Sequence, residues 1–124
     1  MSERIRENLE ADLPWVVCEE KGELLGYALT SRWKSRCAYQ YSLESTVYLK
    51  PGATGRGLGS ALYESLIERV RERNYHTLIG GIALPNEPSI RLHEKFGFEK
   101  IGHFREVGYK FDRWIDVGYW ELVL

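Results

Sequence analysis

The chain has 124 residues, 44% hydrophobic and 13% aromatic, enough for one domain with a packed core that needs neither disulfides nor metal. With 17 basic and 18 acidic side chains the net charge is −1, which argues against non-specific nucleic-acid binding, since that needs a basic surface. No run reaches the roughly 20 apolar residues of a membrane span, and Met1-Ser2-Glu3-Arg4-Ile5-Arg6 lacks the apolar centre of a secretion signal. Cys18 and Cys37 form no CxxC pair and no metal-ligand spacing, and read as reduced, partly buried thiols of a cytoplasmic protein.

Ser2–Ala11 is polar with Ile5 and Leu9 at helical spacing, which predicts a short amphipathic helix ending before Pro14. Trp15–Glu20 and Leu24–Ser31 read as antiparallel strands joined at Lys21-Gly22. Arg32–Gln40 mixes charge and aromatics without a period and reads as loop. Tyr41–Leu49 returns to strand character, with Thr46, Val47 and Tyr48 as good strand formers, and Lys50-Pro51-Gly52 stops it. Leu58, Leu62, Leu66, Ile67 and Val70 then mark one face of a helix that ends near Asn74. Thr77–Ile82 predicts a strand buried on both faces. Ser89–Phe96 predicts a second helix, entered through Pro85-Asn86-Glu87-Pro88 and stopped by Gly97. Phe98–Lys110 and Trp114–Leu124 are strand-like, joined by a polar turn at Phe111-Asp112-Arg113. The order is α-β-β-β-α-β-α-β-β: an α/β chain (an α+β mixed sheet carrying helices) forming a single domain over residues 1–124, without repeat or linker.

Gly55-Arg56-Gly57-Leu58-Gly59-Ser60 stands between a strand and an amphipathic helix. Alternating glycines let a ligand approach the backbone, and free N–H groups with the helix dipole favour an anion there. Arg56 can add a direct charge. A tight turn without ligand is the bland alternative, but strand, glycines and helix in that order favour a phosphate. No Gly-Lys-Ser/Thr follows, so this is not a Walker loop. A dinucleotide fold would place its glycines after the first strand.

Val47-Tyr48-Leu49 followed by Gly55–Ser60 resembles the acetyl-CoA motif of the GCN5-related N-acetyltransferases (GNAT), with Thr54 where that family usually has glutamine or arginine. Asn86-Glu87-Pro88-Ser89-Ile90-Arg91-Leu92-His93-Glu94-Lys95-Phe96-Gly97-Phe98 is similar to the family's second cofactor segment. Tyr39, Glu44-Ser45-Thr46-Val47-Tyr48, Leu84-Pro85-Asn86, His93-Glu94 and Trp114-Ile115-Asp116-Val117-Gly118-Tyr119-Trp120 resemble the phosphinothricin acetyltransferase branch. The resemblance implies a GNAT-like acyl-CoA N-acyltransferase fold, acetyl-CoA as co-substrate, no metal, and a small-molecule amine such as phosphinothricin or methionine sulfoximine as acceptor. It implies cofactor contacts at Val47, Leu49, Gly55, Arg56, Gly57, Leu58, Gly59, Ser60, Asn86 and Ser89, with the Val47 and Leu49 amides holding the pantetheine arm.

On the same resemblance Glu44 acts as general base on the amine, directly or through a water; a solvated strand-edge carboxylate is the alternative. His93 protonates the leaving thiolate or assists deprotonation, or else is a helix histidine hydrogen-bonded in place. Trp33, Lys34, Arg36, Tyr39 and Tyr41 form a basic–aromatic cluster. Trp33, Arg36 and Tyr39 are read as acceptor-binding and Lys34 as surface charge. Trp114, Tyr119 and Trp120 read as core or dimer packing in a homodimer. Neither cysteine lies where it would be activated, which favours direct attack over an acetyl-cysteine. Members of the branch usually begin with a further strand and helix, so the fold is expected to be N-terminally shortened, with Trp15–Glu20 as an uncovered edge. A CoA-binding module with little or no transferase activity is the second reading.

Overall fold

A computed structural model describes residues 3–7, 13–34 and 36–124. In chain order the elements are β1 (Glu3–Glu7), β2 (Trp15–Glu20), β3 (Glu23–Arg32), β4 (Ser42–Leu49), α1 (Leu58–Glu72), β5 (Thr77–Ala83), α2 (Glu87–Lys95), β6 (Glu99–Lys110) and β7 (Arg113–Val123), with a short 3-10 turn at Cys37–Tyr39. The strands form one mixed sheet in the order β1-β2-β3-β4-β5-β7-β6, in which only β4 and β5 run parallel.

One predicted element is corrected. Glu3–Glu7 is a strand paired antiparallel with β2, with Ile5 opposite Cys18, and not the first part of a helix. Ile5 packs on the core from that position. Two apolar residues at helical spacing are a weak signal, and the ladder offered by the β2 edge outweighs it. The same pairing corrects the expectation of an uncovered Trp15–Glu20 edge. Leu9 and the rest of residues 8–12 lie outside the described residues.

Alternation along the strands decides what each face carries. Val16, Cys18, Ala28, Leu43 and Leu78 point to one face and are buried against Leu58, Leu62, Leu66, Ile67 and Val70 of α1, the helical stripe expected from sequence. Trp120 of β7 joins them, and its indole N–H donates to Glu94 of α2 at 3.1 Å. Trp15, Val17, Tyr27 and Leu29 point to the opposite face and, with Leu13 and Thr30, line an apolar hollow of about 480 Å³. The β6–β7 turn is two residues long, with Phe111 at φ 54° and Asp112 at φ 59°, the left-handed geometry that matches strand twist.

The parallel ladder is short. Ser42–Ser45 pair with Thr77–Gly80, and there it ends. Beyond it Thr46–Leu49 pair with β3 alone and Gly81–Ala83 with β7 alone. The two central strands therefore part, and the backbone groups on their inner edges have no strand partner.

Candidate active site

The gap continues into a cleft of about 440 Å³ lined by Val47 and Leu49 of β4, by Thr54, Gly55, Gly57, Gly59 and Ser60, and by Asn86, Pro88, Ser89, Arg91, Leu92 and Lys95. Its glycine wall is shaped by conformation. Gly55 (φ 78°) and Gly57 (φ 76°) adopt the left-handed region that side chains disfavour. Gly57 is the N-cap of α1 and gives it no side-chain hydrogen bond, and the first turn holds no acidic residue. The first N–H groups and the positive end of the helix dipole therefore remain for an anion. Gly59 is close to both walls: a methyl on it would lie 3.4 Å from Leu92 Cδ2 and 3.6 Å from Leu49 Cδ1. Across the cleft, Asn86 caps α2, its side-chain oxygen accepting from the Ser89 N–H at 3.2 Å. That leaves its NH₂ group to donate. No Asp or Glu lines the cleft.

Where β4 and β5 part, a smaller cavity of about 140 Å³ is lined by Ser45, Thr46, Val47, Tyr63, Gly81, Ile82, Ala83, Asn86, Ser89 and His93. Val47, Asn86 and Ser89 are shared with the cleft. Its helix side is a chain of hydrogen bonds: Ser45 Oγ to Tyr63 Oη (3.0 Å), Tyr63 Oη to His93 Nε2 (2.8 Å), and His93 Nδ1 to the Ser89 carbonyl (2.7 Å). The carbonyl only accepts, so Nδ1 carries the proton; neutral Nε2 then accepts from Tyr63, whose oxygen accepts from Ser45. His93 is 3% exposed. Burial lowers its pKa below the usual 6.5, and pushes the Tyr63 hydroxyl up to about 12.

Glu44 is on the other face. It pairs across β5 with Ile79, one residue before the Ser45–Gly80 pair, and lines a pocket of about 360 Å³ with Trp33, Lys34, Ile79, Ile101, Gly102, Phe104 and Tyr119. A methyl on Gly81 would lie 3.7 Å from Glu44 Oε2 and 3.1 Å from Tyr119 Cε1. The absence of one there brings this pocket to the edge of the β4–β5 gap. Asp116 holds the β6 bulge beside it, accepting from the Glu106 N–H and pairing with His103, each at 2.8 Å. That His103 hydrogen bond, followed by the Glu106 amide, holds the Asp116 carboxyl below its ordinary range.

Among the expected cofactor residues, Val47, Leu49, Gly55, Gly57, Gly59, Ser60, Asn86 and Ser89 meet in the one cleft. Arg56 and Leu58 do not line it. The Arg56 guanidinium pairs with Glu20 at 3.1 Å, and the Leu58 side chain is 3% exposed in the core. Trp33 lies in the Glu44 pocket, but Arg36 and Tyr39 do not; Tyr39 instead packs edge-on against Trp33 at 5.5 Å. Lys34, read as surface charge, lines that pocket, its ammonium 5.2 Å from the Trp33 ring. Tyr119, read as packing, also lines it, whereas Trp114 is exposed and Trp120 is core. Glu44 and His93 line different cavities. Sequence reasoning passed over Arg91, Lys95, Ile101, Phe104 and the Tyr63 link. Only Arg91 and Lys95 carried a readable signal, two cations one helical turn apart in the second cofactor segment. Cys18 is buried and Cys37 exposed, and neither forms a disulfide.

Residues 2–118 match the model of the acetyltransferase (GNAT) domain. The chain is 50% identical over 102 residues to phosphinothricin N-acetyltransferase of Streptomyces coelicolor, covering 82% of this chain and 60% of that one. It is 39% identical to an L-methionine sulfoximine/L-methionine sulfone acetyltransferase of Salmonella typhimurium, covering 90% and 65%. A crystal structure of a GNAT superfamily phosphinothricin acetyltransferase from Sinorhizobium meliloti in complex with AcCoA superposes with a TM-score of 0.85 at 35% identity, covering 90% of this chain and 61% of that one. The chain spans about 60% of the length of the first curated relatives it matches.

Proposed function

The chain belongs to the GNAT acetyltransferase family, and on that premise we propose that it transfers the acetyl group of acetyl-CoA to the primary amine of a small amino-acid-like acceptor, of the phosphinothricin or methionine sulfoximine type, by direct attack. The observation that carries this reading is the parting of β4 and β5 beyond Ser45–Gly80, with an anion-binding cleft on the helix side and a carboxylate pocket on the other. The names of the relatives, phosphinothricin N-acetyltransferase and methionine sulfoximine acetyltransferase, and the AcCoA bound to the Sinorhizobium meliloti neighbour support it.

The cleft fits CoA. Uncapped amides at Gly57–Gly59 suit a pyrophosphate, the Asn86 NH₂ suits an amide carbonyl, and Val47 and Leu49 offer apolar contact and unpaired inner-edge backbone to an extended arm. Acetyl-CoA supplies a thioester as activated acetyl donor. The acceptor amine must lose a proton as it attacks, and Glu44 is the base within reach of the gap. Trp33 and Lys34 give an amino-acid-like acceptor an apolar wall and a cation for its acidic group. His93, with both ring nitrogens engaged, fixes Tyr63 and Ser45 beside the gap rather than exchanging protons.

On this reading residues 1–124 act as one domain, in the cytoplasm, as a homodimer without nucleic-acid or membrane partner. Two cysteines outside any disulfide suit a reducing compartment. Ile101, Phe104, Val107, Tyr109, Phe111 and Trp114, each more than half exposed along β6–β7, give the sheet edge an apolar surface that a second copy would cover.

Calorimetry with acetyl-CoA, run beside a thiol-release assay over amines that include phosphinothricin and methionine sulfoximine, tests the proposal. Binding with release is the expected result. Binding without release on any amine would leave a CoA-binding module, and no binding would remove both readings.

A further inference from the structure

The cleft wall facing the glycines carries more positive charge than a pyrophosphate needs. Each phosphoryl group of a pyrophosphate diester bears a single charge, which uncapped helix amides can meet. Arg91 and Lys95 stand one turn apart on one side of α2, both exposed and both lining the cleft, whose lining includes no carboxylate; Glu87, one turn before Arg91, does not line it. Residues at that spacing have Cβ atoms about 5–6 Å apart, close enough to grip one phosphate together. The Lys95 ammonium donates to Ser60 Oγ at 2.9 Å, which places it at the first turn of α1. Arg91 makes no hydrogen bond or ion pair among the described residues. Arg56, the cation adjacent to the glycines in sequence, is committed to Glu20.

Two neighbouring cations repel each other, and a dianion between them relieves that repulsion. A terminal phosphate monoester carries about −1.5 to −2 at neutral pH and three acceptor oxygens, which matches a bidentate guanidinium and an ammonium. Resting on the CoA reading above, we propose that Arg91 and Lys95 form a second phosphate subsite, separate from the glycine turn, that takes the 3′-phosphate of CoA and selects CoA over 3′-dephospho-CoA.

Isothermal titration of both ligands into the intact protein and into the R91M/K95M variant tests this. Both side chains are exposed, so the variant should keep its fold, checked by its melting temperature. The protein should bind CoA at least about tenfold tighter than 3′-dephospho-CoA, and the variant should bind both alike, at the affinity the unaltered protein has for 3′-dephospho-CoA. Equal affinity for the two ligands in the unaltered protein would overturn the subsite while leaving the CoA reading intact. So would a variant that weakens both ligands by the same factor, since the cations would then serve the pyrophosphate. If the unaltered protein bound neither ligand, the CoA reading itself would fail and the subsite with it.

Discussion

Glu44 and His93 stand on opposite faces of the sheet, with Gly80 and Gly81 of β5 between them. A methyl on Gly80 would lie 2.7 Å from His93 Nε2, and one on Gly81 would lie 3.7 Å from Glu44 Oε2. The two residues therefore do not act as a dyad across one cavity. Glu44 lines the pocket it shares with Trp33, Lys34 and Tyr119, and His93 lines the cavity where β4 and β5 part.

Glu44→Gln keeps the size and most of the hydrogen bonding but removes the base. Turnover, read as thiol release, should fall by roughly 10²–10⁴-fold, while calorimetric affinity for acetyl-CoA stays within twofold. Unchanged turnover would take Glu44 out of the mechanism.

His93 and Tyr63 make stability depend on pH at both ends. The folded state holds His93 neutral with a pKa below 6.5, so on acidification the unfolded chain takes up the proton first and stability falls below about pH 6.5. Tyr63 is raised from 10.0 to about 12, so its contribution is present below pH 10 and is lost as pH climbs through that window. Urea denaturation across pH 5–11 should give a plateau between these limits. His93→Phe leaves the buried Tyr63 hydroxyl without its acceptor, which should cost about 1–3 kcal/mol at neutral pH and flatten the acid limb. An acid limb of undiminished slope in that variant would assign the titration to other groups.

The glycines should separate binding from folding. Gly57→Ala puts a side chain at φ 76° on the N-cap of α1, which should cost about 1–2 kcal/mol of stability and weaken CoA binding at least tenfold, because the same backbone presents the amides. Gly80→Ala drives a methyl into the His93 ring and should lower the melting temperature more than it changes CoA affinity. Equal effects of both substitutions on affinity would argue against a localised anion site.

Trp114 is 62% exposed on β7 and packs its ring against Tyr109 at 4.8 Å. If the β6–β7 surface joins two copies, Trp114→Glu should shift the mass measured by light scattering from dimer to monomer at micromolar concentration. A dimer that persists unchanged would move the interface elsewhere.

Local signals carried most of the fold. The Leu58–Val70 stripe, the glycines at 55, 57 and 59, and the two-residue turn after Lys110 each declare themselves within a few residues. What stayed hidden depends on contacts between distant segments. Glu3–Glu7 becomes a strand because β2 offers it an edge. Arg56 turns away from the cleft because Glu20 lies within reach, 36 positions earlier. The Glu44 pocket takes Ile101, Phe104 and Tyr119 from a hairpin whose place beside β5 no local pattern encodes. Strand parity could assign Glu44 and Ser45 to opposite faces, but which face receives α2, and so His93, follows only from packing.

The most direct measurement is a crystal structure of the protein with CoA. The pyrophosphate is expected against the amides of Gly57–Gly59, with the pantetheine arm running between Val47 and Asn86 and the sulfur at the parting of Ser45 and Gly80, on the way to Glu44. A sulfur lying outside the β4–β5 gap, or on the side of the sheet away from Glu44 with no opening between them, would contradict transfer through this site.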